Sequence, residues 1–99
     1  MSSLTSRQRA HLRSLAHPLK PMMQVGSEGV SEAFLTSLDE AFRNREILKI
    51  RVLETSDLTL KEATAAIREA RPDVEVVQTI GKVAALYRPH PENPEIRLP

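Results

Sequence analysis

Residues 47–53 alternate strictly, with Leu48, Ile50 and Val52 on one side and Lys49 and Arg51 on the other. A period of two fits a strand with one buried face and fits no helix. The flanking residues keep a different period. Phe34, Leu35, Leu38, Ala41 and Phe42 before it, and Leu60, Ala63, Ile67 and Ala70 after it, recur at helical spacing. A strand enclosed by two helices needs a sheet to belong to, so the chain reads as α/β.

The remaining elements follow from caps and breakers. Thr5 and Gln8 form a capping box that starts a first helix, with Leu12, Leu15 and Ala16 on one side and Arg7, Arg9 and Arg13 largely elsewhere. Pro18 and Pro21 stop that helix. Met22, Met23 and Val25 make a short strand, closed by the turn Gly26-Ser27-Glu28-Gly29 before a helix that begins near Ser31. Asp39 and Arg43, four apart, are expected to pair on that helix. Ser56 or Asp57 is expected to cap the third helix, which Pro72 ends. Residues 74–80 and 83–87 are β-rich and flank Gly81-Lys82, a hairpin signal.

The order is α-β-α-β-α-β-β. It predicts an α/β sandwich, a mixed four-stranded sheet with the helices on one side and the Lys49/Arg51 face turned to solvent. Residues 1–99 are expected to form one domain, with a folded core over 4–88. The segment 89–99 carries four prolines and is expected to be extended, with Ile96 and Leu98 alternating around Arg97 against a sheet edge.

Absent residue types exclude several chemistries. There is no cysteine, hence no disulfide, thiol catalysis or common zinc finger. No apolar run approaches the ~18 residues of a membrane span, and no secretory signal is evident, so a cytoplasmic protein without membrane partners is expected. His11 and His17 lack the helical spacing of a metal pair, and His90 stands far from both. Asp39 and Glu40 are adjacent on a helix and point apart, while Ser27 and Ser31 read as turn and cap residues. No catalytic set, metal, cofactor or small-molecule substrate is expected.

Net charge is only +1, but its distribution is uneven. Residues 1–27 hold Arg7, Arg9, Arg13 and Lys20 and no acid. Arg43, Arg45, Lys49 and Arg51 follow against Glu46 alone. Glu54, Asp57, Glu62, Glu69, Asp73 and Glu75 then reverse the balance. A polarised basic surface on a near-neutral chain suits a polyanion. Two glycines three apart at a strand-to-helix turn let a ligand approach the backbone, at a helix end that favours phosphate. A loop of this GxxG form clamps the nucleic-acid backbone in some RNA-binding modules.

Leu15-Ala16-His17-Pro18-Leu19-Lys20-Pro21, then Val25-Gly26-Ser27-Glu28-Gly29, then Ile80-Gly81-Lys82 with Leu86-Tyr87-Arg88-Pro89, together resemble the CRM (chloroplast RNA splicing and ribosome maturation) domain. Its stand-alone bacterial form is YhbY-like. The resemblance covers nearly the whole chain. It implies a fold similar to the C-terminal domain of bacterial translation initiation factor three. It also implies binding to ribosomal RNA in pre-50S particles and a part in ribosome biogenesis, with ribosomal proteins as further partners. Plant relatives use the domain in group II intron splicing. Carried over by position, the RNA-binding loop is Gly26, Ser27, Glu28 and Gly29, flanked by Lys20, Arg7 and Arg13.

Lys49 and Arg51 join this set from the alternation, and Lys82 from its place at the hairpin tip. Glu28 departs from what a phosphate would favour. The one tyrosine leaves little aromatic surface for stacking, so recognition is expected to depend on shape and backbone. Two other readings compete: a protein–protein adaptor using the acidic side, and a winged-helix DNA binder drawn from three helices and a hairpin.

Overall fold

The structure is a computed structural model that describes residues 4–92 and 94–99; residues 1–3 and 93 lie outside it. Helix α1 spans Ser6–Ala16, strand β1 Met23–Val25, α2 Glu32–Ala41, β2 Ile47–Val52, α3 Leu60–Ala70, β3 Glu75–Ile80 and β4 Val83–Tyr87. The strands form one sheet in the order β1-β2-β4-β3. β1 lies parallel to β2, with α2 as the crossover that a parallel pair requires. β2/β4 and β4/β3 are antiparallel. The expected α/β class, element order and mixed four-stranded sheet are all present.

The caps explain the helix starts. Thr5 Oγ1 accepts from the Gln8 amide at 3.1 Å, and Gln8 Oε1 accepts from the Thr5 amide. Ser31 Oγ accepts from the Phe34 amide at 3.1 Å. The third helix corrects the sequence reading, because its N-cap is Thr59, in a second capping box with Glu62. Ser56 instead accepts from the Leu58 amide in the preceding turn. The hairpin closes through Gly81 at φ +60°, with Ile80 opposite Val83. A glycine at the first central position matches a type II′ turn.

The placement of the helices departs from expectation. Val25, Phe34, Leu38, Leu48, Ile50, Ile67 and Leu86 form the main core, between the sheet and helices α2 and α3. Leu12 and Ala16 of α1 pack instead with Val77, Ala85 and Tyr87. Successive strand residues point to opposite faces, so Ala85 and Tyr87 lie opposite Ala84 and Leu86. Helix α1 therefore covers the other side of the sheet. The reason is β4, which is apolar on both faces, the pattern of a strand buried on both. This arrangement excludes the winged-helix drawing, which needs three helices packed together.

The segment after Tyr87 turns back over the α1 side. Ile96 and Leu98 pack against the cluster of Leu12, Ala16 and Tyr87 rather than pairing with an edge strand. Gln8 Nε2 donates to the Pro99 carbonyl at 3.2 Å.

Candidate nucleic-acid interface

Strand β1 delivers the GxxG loop to one end of the sheet. Gly29 N–H donates to the Gly26 carbonyl at 3.0 Å, closing a tight turn with Ser27 and Glu28 exposed at its tip. The two glycines differ. Gly29 has φ +66°, and a Cβ there would stand 3.3 Å from Leu58 Cδ1. At Gly26 a Cβ would meet Thr55 and Leu53 only at ordinary contact distance. The turn's backbone therefore demands Gly29 and not Gly26.

Beside the loop lies an open depression of about 490 Å³, lined by Gly26, Ser27, Glu28, Gly29 and the Ser31 and Ser37 side of α2. The first amides of α2 face a helix end that favours anions. Glu28 and the first-turn Glu32 already place negative charge there, so a phosphate would compete with two carboxylates.

The loops at this end are stitched together. Leu53 N–H donates to the Val25 carbonyl at 2.9 Å, and Val52 N–H to the Lys82 carbonyl at 2.8 Å. Lys82 thus shares an end of the sheet with the GxxG loop. Its ammonium lies 3.8 Å from the exposed Glu54 carboxylate, a surface pair worth at most ~1 kcal/mol and easily exchanged for another anion.

Lys49 and Arg51 point to the α1 side of the sheet, as their alternation requires. That side is therefore not opposite all the helices, and α1 covers only part of it. Lys49 Nζ reaches the His17 carbonyl, at 3.5 Å, where α1 ends. Met22 N–H donates to the Lys49 carbonyl, which brings the Lys20-Pro21 segment alongside β2. Arg51 is exposed, level with Gln24 of β1 on one side and Val83 of β4 on the other.

A β-bulge shapes the rest of this face. The β3/β4 register shifts between Val76 and Gln78. Val76 packs toward the main core and Val77 toward α1, so the bulge sets Gln78, opposite Ala85, on the α1 side as well. Ile80, which plain alternation would place with Val76, is turned to the open side and is 66% exposed. Pro21, Lys49, Arg51, Gln78, Ile80 and Val83 line a groove of about 240 Å³ there.

On α1, Arg7 is exposed and Arg13 partly so, both off the Leu12/Ala16 stripe that faces the sheet. Arg9 does something the sequence reading missed: its guanidinium donates to the Val76 carbonyl at 2.6 Å, tethering α1 to β3. The structure thus brings Lys49, Arg51 and the Lys20-Pro21 segment around one groove. It sets the GxxG loop and Lys82 at the neighbouring end, and leaves Arg7 and Arg13 on the outer side of α1.

The acids are largely engaged elsewhere. Asp39 does not pair with Arg43; it accepts from Arg71 at 2.9 Å and from Arg88 at 2.9 Å. The Arg71 hydrogen bond, and then Arg88, hold its carboxyl below the usual range against the opposing effect of burial. Asp73 takes Arg88 Nε at 2.7 Å. Glu46, also missed, is buried and accepts from the backbone amides of His90, Glu95 and Ile96 at 2.6–2.7 Å. Burial pushes this carboxyl up, but the three amides outweigh it and leave it below its ordinary value. No helix among the described residues is long and apolar enough to cross a membrane.

Comparison with known proteins places this geometry. The family described as the CRS1 / YhbY (CRM) domain matches residues 4–88. "Probable RNA-binding protein YqeI" of Bacillus subtilis is 38% identical over 97% of this chain and 99% of its own length. An "RNA-binding protein" of Haemophilus influenzae is 35% identical over the whole chain and 98% of its own length. The solution structure of a Staphylococcus aureus protein superposes with a TM-score of 0.71 at 35% identity, covering 97% of this chain and 99% of that one.

Proposed function

The chain belongs to the CRS1 / YhbY (CRM) domain family, and from that premise we propose that it is an RNA-binding protein of the ribosome-assembly machinery. It binds ribosomal RNA in large-subunit precursors in the cytoplasm and performs no catalysis of its own. One observation carries the reading: Lys49 and Arg51 project onto a part of the sheet that α1 leaves open, in a groove lined by no acidic residue. Phosphate contacts from such a face give affinity that falls steeply with salt.

The acidic side offers less to a basic protein partner. Asp73 is held by Arg88, Glu62 by the Thr59 cap, and Glu75 lies 3.9 Å from Arg68. The adaptor reading is therefore the weaker one. The test is filter binding to large-subunit ribosomal RNA, with duplex DNA as competitor, at two salt concentrations. RNA-selective, salt-sensitive binding is expected. Changing Lys49 and Arg51 to Gln should weaken it and reduce the salt slope by about one per lost contact. Salt-independent binding, or none, would overturn the reading.

A further inference from the structure

We propose that the groove on the α1 side of the sheet seats one unpaired nucleobase, resting on Ile80 and Val83 beside Pro21, with the adjoining phosphates on Lys49 and Arg51. This rests on the RNA-binding reading and adds a specific mode to it: recognition of a single-stranded nucleotide, not only of backbone and shape.

Four features converge on that occupant. Ile80 is a large apolar side chain left 66% exposed on a strand, and the β-bulge, not a failure of pattern, puts it there. Its neighbours Val83, Ala85 and Pro21 extend the apolar floor. At about 240 Å³ the groove is smaller than the ~300–1,000 Å³ of pockets for drug-sized ligands, which suits one ring system. The rim supplies two cations on one side and, from Gln78, an amide able both to donate to and to accept from a base edge.

The chain also has no other obvious place to receive a base. Its three aromatic rings, Phe34, Phe42 and Tyr87, are at most 8% exposed, so none can serve as a stacking platform. A base must meet aliphatic surface, and this groove joins such surface to positive charge. An apolar protein side chain would fill the floor but would leave Lys49 and Arg51 without counter-charge.

Fluorescence anisotropy with a short single-stranded RNA and a duplex RNA of equal length tests this. The wild type is expected to favour the unpaired strand. Ile80→Ser should lose about tenfold on the single strand, the lower end of what one stacked base is worth, with no change on duplex and no change in salt slope. Ile80→Leu should restore the affinity, and the exposure of Ile80 makes both variants foldable, which circular dichroism checks. If the wild type binds RNA and Ile80→Ser binds the single strand equally well, the base site is wrong while the RNA reading stands. Loss of binding to a ribosomal protein but not to RNA would equally overturn it. If the wild type binds neither RNA, the parent reading itself fails.

Discussion

Glu46 sits 2% exposed and gives its carboxylate to three amides 44 to 50 residues along the chain. It and Asp39 are both held below their ordinary values of 4.5 and 3.8. A carboxyl depressed in the folded state adds stability above its unfolded value and loses it as pH falls through the folded one. Urea unfolding should therefore show a steady midpoint near neutrality and a decline in acid below about pH 4.5. Glu46→Gln turns an NH₂ toward amide donors and should cost about 1–3 kcal/mol at pH 7 while flattening that decline; an unchanged acid slope would refute the assignment. The glycine pair separates in the same way. Gly29→Ala should cost about 1–2 kcal/mol for its left-handed backbone, and Gly26→Ala under about 0.5 kcal/mol; equal losses in thermal melts would contradict the turn geometry. The sequence displayed both glycines but not their difference, since φ depends on what Leu58 and the helix behind them allow. Glu46 was invisible there because its partners are backbone amides, which leave no residue signature.

Strands and helices were more legible than single contacts, for local reasons. The Thr5/Gln8 box, the 47–53 alternation and the Gly81-Lys82 hairpin are each decided within a few residues. The third helix shows how such signals are misjudged: Ser56 and Asp57 are good caps by type, yet Thr59 has Glu62 in the reciprocal position and wins two hydrogen bonds. Thr59→Ala should lower stability by about 1 kcal/mol, and Ser56→Ala by less. A thermal melt comparing the two checks the order. The side of the sheet taken by α1 was harder to see. The run Val83-Ala84-Ala85-Leu86-Tyr87 announces a strand buried on both faces, but the strict alternation of β2 suggested a sheet wet on one. The bulge at Val77 has no sequence mark, because the shift is fixed by pairing with β4.

For the whole molecule, two apolar clusters of unequal kind meet across one sheet. The larger joins α2, α3 and the strands, mostly through neighbours in the chain order. The smaller gathers α1, β3, β4 and the distant residues Ile96 and Leu98, with Arg9 and Gln8 reaching β3 and Pro99. Lys49 and Arg51 stand where α1 stops, so the proposed RNA face owes its opening to the shortness of that helix. The Glu46 clasp carries a temporal consequence as well. Closing a loop of about fifty residues is entropically costly and rewarded late, so the sheet with α2 and α3 should cross its folding barrier before residues 90–96 dock. Contacts absent from the transition state act on the exit rate alone. In stopped-flow experiments Glu46→Gln should hasten unfolding by nearly its full equilibrium effect and leave the refolding rate almost untouched. The strap of residues behind Tyr87 would then be a latch on the native state's lifetime, closing after the fold has formed.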